Sequence, residues 1–296
     1  MAFSLGETNV LVLDMPEWSE DGEHWEPREE MMRIDRALRA KYGLPKADGG
    51  DVQPWVLNET EAALYPYLKF TFNSTVAAPC RLAFEEADRV WFNGAEVTLE
   101  KDGYFADKRI FTAKLPDLKR GRNELIIRTP LGKRTSLENY FLLGEFGVKA
   151  DGCEASVIAM PKRIGFGKIT DKGLPFYGAA LTYKIPLEVK DCDLAVRTER
   201  FVGALVTAKL DGVEIGKLAF APYRAEALNV KAGKHLLELT LYNTRVNTFA
   251  ALHCIADIDW KGPNHWYTKG KDFAYEYQLY GNGILKSPVI EVFEKD

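Results

Sequence analysis

One block of alternating apolar and polar positions occurs twice in this chain. In the first copy LKFTFNSTV is followed by DRVWFNGAEVTL and LPDLKRGRNELIIRT; in the second LTYKIPLEV is followed by LVTAKLDGVEIG and LNVKAGKHLLELTL. Apolar residues at every second position mark strands with one buried face. Asn93-Gly94 and Asp211-Gly212 stand between such strands and predict two-residue hairpins, because a type I′ turn needs positive φ at both central positions. Superposing the copies on these turns sets Val90 and Phe92 against Ala208 and Leu210, and Leu125 and Ile127 against Leu237 and Leu239. The apolar face is kept, so the chain reads as two related β-domains in tandem. Trp91 falls on the other face, matched to Lys209, where a large aromatic needs cover from a further domain or a ligand.

The first 64 residues break this pattern. VLVLDM (10–15) predicts a short strand, and PEWSEDGEHWEPREE leads into an amphipathic helix with Met31, Ile34, Leu38 and Tyr42 on its apolar face. Pro27 suits its first turn, and Gly43 with Pro45 ends it. KADGGDVQP then reads as a connector. The expected organisation is an N-terminal strand, helix and connector over 1–64, one sandwich over 65–150 and a second over 151–296. Many short strands at turn-marked intervals make the fold class all-β, with two tandem β-sandwiches of jelly-roll type.

At 296 residues with 46% hydrophobic and 12% aromatic content, the chain can bury two cores. A net charge of −4 speaks against a nucleic-acid surface, which needs clustered cations to neutralise phosphates. The four cysteines show no C-x-x-C spacing, and the first residues lack a charged segment followed by an apolar one, so a reduced, cytoplasmic protein is expected. No run of about 20 apolar residues is present.

Three stretches could carry chemistry. The tail holds Asn243, Asn247, His253, His265, Trp266 and Tyr267, a mixture of rings, amides and imidazoles that suits saccharides, whose C–H faces stack while their hydroxyls take paired hydrogen bonds. Closing the end of a sandwich would use the same residues. Trp18, Glu20, Asp21, Glu23, His24, Trp25 and Glu26 put carboxylates beside two tryptophans, the ingredients of glycoside hydrolysis. Acidic residues ahead of a helix also favour its N-terminus. LPFYG (174–178), with Tyr177, predicts a rigid aromatic loop. Nucleophile-elbow, phosphate-loop, zinc-helix and dinucleotide motifs are absent, and four scattered histidines argue against a His-rich metal site. No cofactor is called for, although loop carbonyls and carboxylates leave room for a structural calcium.

VWFNGAEV, DGYFADKRI, LKRGRNELIIRTPLGKRTSLENYFLLGEFGV and GLPFYGAALTYKI together resemble the galactose-binding-like β-sandwich domains of large bacterial glycoside hydrolases, of the β-galactosidase/β-glucuronidase and α-L-rhamnosidase-like types. The resemblance covers about residues 65–292; the LPFYG and WKGPNHW stretches resemble the narrower, rhamnosidase-like group. It implies a C-terminal region without the catalytic barrel, and it transfers no catalytic residue.

The expectation is therefore a non-catalytic, carbohydrate-associated module that binds a plant-type or host glycan weakly, braces a barrel domain of the same polypeptide, or does both. Asn247, His253, His265, Trp266 and Tyr177 are its expected ligand-binding residues. The alternative is an autonomous glycosidase working through Asp and Glu carboxylates. Neither nucleic acid nor a membrane is an expected partner.

Overall fold

A computed structural model describes residues 1–45, 61–255 and 268–295. The fold is all-β, built almost wholly of antiparallel strand pairs, with one helix of three turns among the described residues. The chain divides into two compact units: Met1–Asn9 with Met160–Thr248 and Leu279–Asp296, and Val10–Ala159 with Phe249–Gln278. The division interleaves segments of the chain, and Phe249–Gln278 of the tail groups with Val10–Ala159.

Both hairpins form as the sequence predicts. Asn93 and Gly94 have φ of 52° and 87°, and Asp211 and Gly212 have 51° and 82°. In the 10–159 unit, Arg89–Phe92 pairs with Gly121–Arg128, which pairs with Tyr67–Ser74; in the other, Leu205–Leu210 pairs with Gly233–Tyr242, which pairs with Ala180–Val189. The registers match position for position. Phe92 lies opposite Leu125 and Val90 opposite Ile127, just as Leu210 lies opposite Leu237 and Ala208 opposite Leu239. All eight are buried and form the inner faces of their sheets. Trp91 does face outward, but its cover comes from its own sheet: the Tyr67 ring lies 6.1 Å away and the Arg89 guanidinium 4.8 Å from its centroid. This replaces the domain or ligand expected there.

In the 10–159 unit this sheet is completed by Gly147–Asp151, Glu154–Ile158, Ala95–Val97 and Glu17–Ser19. A five-stranded sheet runs in the order Asn9–Leu13, Tyr140–Gly144, Ala78–Phe84, Asp107–Leu118, Lys101–Phe105. Tyr140–Gly144 is buried along its whole length. Phe141 packs on Phe105 and Phe249, with ring centroids 5.5 and 5.3 Å away. In the other unit, a five-stranded sheet that includes Ala2–Leu5 shares a core with the three-stranded sheet Arg224–Val230, Cys192–Arg197, Val289–Glu294.

The helix is Met31–Tyr42. Its N-cap is Glu30, whose carboxylate accepts the backbone N–H of Arg33, so the start lies four residues beyond Pro27. Gly43, at φ 65°, closes the other end. Met31, Ile34 and Leu38 are each 1% exposed, whereas Tyr42 is turned to solvent and bonds Glu20. The helix also buries Asp35 and Arg39, a pair its apolar pattern does not advertise. Among the described residues no helix is long and apolar enough to cross a membrane.

Candidate functional site

The sequence-predicted ligand residues separate between the two units. Tyr177 is fully buried; its hydroxyl donates to the Ala180 carbonyl at 2.8 Å and accepts from the Gly6 N–H at 3.0 Å, stitching the first strand to the LPFYG turn. Asn247 is equally buried: its amide donates to the Tyr280 carbonyl and accepts the Tyr280 N–H, both at 2.9 Å. Asn243 donates to the Ala179 carbonyl at 2.8 Å. These amides serve loop backbone. His253 lies in the 10–159 unit, and His265, Trp266 and Tyr267 fall outside the described residues.

The acidic stretch before the helix is occupied with its own turn. One Asp21 oxygen accepts the N–H groups of Glu23 and His24 at 2.8 and 2.9 Å, and the other faces His24 Nδ1 at 2.7 Å. Glu20 bonds Lys41 and Tyr42, and the Lys69 ammonium sits 4.2 Å from the Trp25 centroid. Trp18 and Glu26, with face-forming residues of the helix, border a broad cavity of about 880 Å³.

Perturbed carboxyls gather elsewhere in the same unit. A cleft of about 220 Å³ is lined by Glu85, Arg109, Ser136, Glu138 and Asn139. It adjoins a smaller hollow of about 80 Å³ that shares Glu85, Glu138 and Asn139 and reaches Glu30, Asp14 and His253. Three pieces of backbone set the larger cleft. The turn after Ala78–Phe84 carries Glu85 and Glu86, and the Tyr140 hydroxyl holds it by donating to the Glu86 carbonyl at 2.9 Å. Asp107–Leu118 supplies Arg109. The 132–139 loop supplies Ser136, Glu138 and Asn139, and the helix fixes it: Arg39 donates to the carbonyls of Gly132 and Thr135, at 3.1 and 2.7 Å, while Asp35 accepts the Leu137 N–H at 3.1 Å.

Loss of hydration and the carboxylates of Glu85 and Asp35 push Glu138 up to about 7. Its side chain is nonetheless exposed, and solvent there weakens both effects. Glu85 is raised too, by loss of hydration and by Glu86 and Asp107, with Arg109 opposing. At the deep end Glu30 is 3% exposed, and burial lifts it to about 7. Beside it His253 Nε2 faces Asp14 Oδ2 at 3.2 Å, and Nδ1 faces the Ala274 carbonyl at 3.1 Å. An acceptor at each nitrogen favours the doubly protonated, cationic ring. Burial alone would lower His253, but Asp14 and Glu30 more than offset it, and its titration is raised. The Tyr277 hydroxyl donates to the other Asp14 oxygen at 2.9 Å. Among the described residues no group of three or more His, Cys, Asp or Glu side chains is placed to hold a metal ion.

Sequence reasoning missed this cleft because Glu85, Arg109 and Glu138 are far apart in the chain. The one hint was Glu-Glu and Glu-Asn directly at strand ends, in FEEAD and SLENYF.

No known family matches the sequence, and no curated relative does. Solved glycoside hydrolases are among the structural neighbours. A rhamnosidase from Novosphingobium sp. PP1Y matches 87% of this chain and 26% of its own at 16% identity and a TM-score of 0.31. A β-D-mannosidase from Dictyoglomus thermophilum matches 80% of this chain and 31% of its own at 13% and 0.31. An anti-sigma factor domain-containing protein from Clostridium clariflavum matches 79% and 90% at 13% and 0.21. The chain spans less than a third of the two glycosidases' length. Likenesses this distant leave function to be argued from the site.

Proposed function

We propose that the chain is a non-catalytic, carbohydrate-associated β-sandwich module that binds a saccharide in the Glu85–Glu138 cleft. The observation that carries this reading is the convergence of carboxylates, the Asn139 amide, the Arg109 guanidinium and the Ser136 hydroxyl on one open hollow. Sugar hydroxyls both donate and accept, so they need acceptors and donors interleaved at short range, and this lining provides both. The sequence resemblance to sandwich domains of large glycoside hydrolases supports the same reading and adds a bracing role beside a catalytic domain. With few apolar faces in the cleft, affinity should be weak, about millimolar to tens of micromolar. Titration of neutral, acidic and amino oligosaccharides against labelled protein tests it. Shifts at Glu138 and Asn139, weakened by Asn139→Ala and Arg109→Ala, are expected; silence across the panel would remove the reading.

A second reading, an autonomous glycosidase, is favoured by one observation: Glu30 and Glu138 border the same hollow, and a carboxyl raised to about 7 can act as general acid beside a second, ionised carboxylate. Turnover of a glycoside that is lost in Glu138→Gln would establish it.

A further inference from the structure

We infer that His253 is a pH-sensitive clasp: its doubly protonated ring ties the Asp14 carboxylate to the backbone of Ala274, and release of one proton to solvent loosens the 273–277 segment. The clasp does not depend on the binding reading above.

His253 is 1% exposed and stands between two acceptors, Asp14 Oδ2 at 3.2 Å from Nε2 and the Ala274 carbonyl at 3.1 Å from Nδ1. Ala274 donates its own N–H to the His253 carbonyl at 2.9 Å, so residues 253 and 274 hold each other by two hydrogen bonds. Only the cationic imidazole can donate from both nitrogens. Once a proton leaves, the remaining N–H stays with the charged acceptor, Asp14, and the Nδ1 lone pair is set against the Ala274 carbonyl. Two acceptors then face each other, and one of the two bonds between 253 and 274 is gone.

The charges packed around the ring favour its proton. Asp14 follows the strand Asn9–Leu13, Glu30 caps the helix, and both carboxyls, 2% and 3% exposed, bear on His253. Glu85 and Glu138 stand across the hollow. On the side of the segment, the Tyr277 hydroxyl donates to Asp14 at 2.9 Å and the Tyr275 hydroxyl to Glu29 at 3.1 Å. The cations nearby are matched by carboxylates of their own: Arg33, over the Phe273 ring, by Glu29 at 3.0 Å, and Arg28, near Tyr277, by Glu154. The imidazolium therefore balances Asp14, and its discharge would leave that carboxylate buried without a counter-charge.

The 273–277 segment can yield to that loss. Its strand pairing is one isolated bridge, Phe273 to Cys254, and Tyr275 and Glu276 are exposed. Segments with few buried contacts and no ladder are the ones that open locally at little cost. His253 also ends the run 249–253 that walls the deep hollow, so loosening there admits water to Asp14 and Glu30.

The test is amide hydrogen exchange followed by NMR from about pH 5 to about 9, a span on both sides of the histidine range, with each rate expressed as protection against the intrinsic one. The Ala274 and Tyr277 amides, bonded to the His253 and Gly152 carbonyls, should keep constant protection below about 6.5. Above it, protection should fall by up to about tenfold per pH unit, since opening then releases one proton, and level off where the His253 ring carbon shifts report its deprotonation in the closed form. The Leu125 amide, inside the sheet, should not follow. The slope should persist in Glu30→Gln with a lower midpoint, because one negative charge facing the ring is gone, and it should vanish in His253→Gln. Flat Ala274 protection while the ring titrates overturns the clasp, as does a ring that keeps one protonation state across the range. An equal fall at Leu125 would assign the effect to the whole unit, and loss of the slope in Glu30→Gln would assign it to Glu30; either result also overturns it.

Discussion

Arg39 Nε donates to Asp35 Oδ2 at 2.7 Å, one helical turn apart, with both residues buried. The remaining Arg39 donors go to the carbonyls of Gly132, Thr135 and Pro45 and to the Ser136 hydroxyl, and the other Asp35 oxygen takes the Leu137 N–H. The pair therefore does more than neutralise itself: it pins the 132–137 segment that presents Ser136 and Glu138 to the cleft. A helix with one apolar stripe thus shapes a site on a neighbouring loop through two charged residues.

Arg39→Met should remove that clamp and leave Asp35 buried without its partner. Losing one member of a buried pair typically costs about 3 to 5 kcal/mol. Urea unfolding should show a loss of that order, and the amide resonances of residues 132–139 should broaden. A loss below about 1 kcal/mol, the range of an exposed pair, would mean that the loop is held by other contacts.

Stability should depend on pH through Glu30. Its folded-state titration, about 7, lies above the unfolded value of 4.5, so between these the folded state binds more protons. Stability then falls as pH rises from about 4.5 to 7 and levels off beyond. A shift of this size corresponds to at most about 3 kcal/mol. His253, raised above 6.5, loses stability in the same direction at the upper end. Carboxylates held low by hydrogen bonds, such as Asp191 and Asp211, act oppositely and below this window. Glu30→Gln keeps a carbonyl to cap Arg33 and should flatten the slope of melting temperature against pH; an unchanged slope would assign it to other groups.

Much of the fold was legible because its determinants are local. The Asn-Gly and Asp-Gly turns place the strands, and alternation fixes which residues face inward, so the inward face shared by Phe92, Leu125, Leu210 and Leu237 could be read from spacing, while their pairing across the sheet comes from the structure. The helix was equally legible from Ile34 and Leu38. The cleft was not, since no periodicity connects position 85 with 109 and 138; strand order in the five-stranded sheet does. The tail drew attention by its amides and rings, yet Asn247 and Tyr177 lie inside, where such groups satisfy backbone as readily as they would a sugar.

Ile34 and Leu38 should prove central to the 10–159 unit. Both are 1% exposed, and truncating a buried Ile or Leu to Ala typically costs about 2 to 5 kcal/mol. Tyr42→Ala, on the same predicted face but 45% exposed, should cost far less. Equal losses at Tyr42 and Leu38 in denaturant would contradict the observed orientation of the helix.

Two glycines in positive-φ backbone should differ in what a methyl group does to them. At Gly94, φ is 87° and an added Cβ meets nothing within 4 Å, so Gly94→Ala carries only the backbone penalty, about 1 to 3 kcal/mol. At Gly283, φ is 141° and the same Cβ would collide with the Gly167 carbonyl oxygen, at a crossing where Gly167 donates its N–H to Ile284 at 2.7 Å. That contact is backbone against backbone, so it cannot be relieved by a rotamer change, and the displaced segment would strip Ile284 of its pairing with Phe201. Gly283→Ala should therefore destabilise by clearly more than Gly94→Ala, measured side by side by thermal and urea unfolding. Equal losses at the two sites would show that the 167–283 crossing yields more readily than its geometry implies.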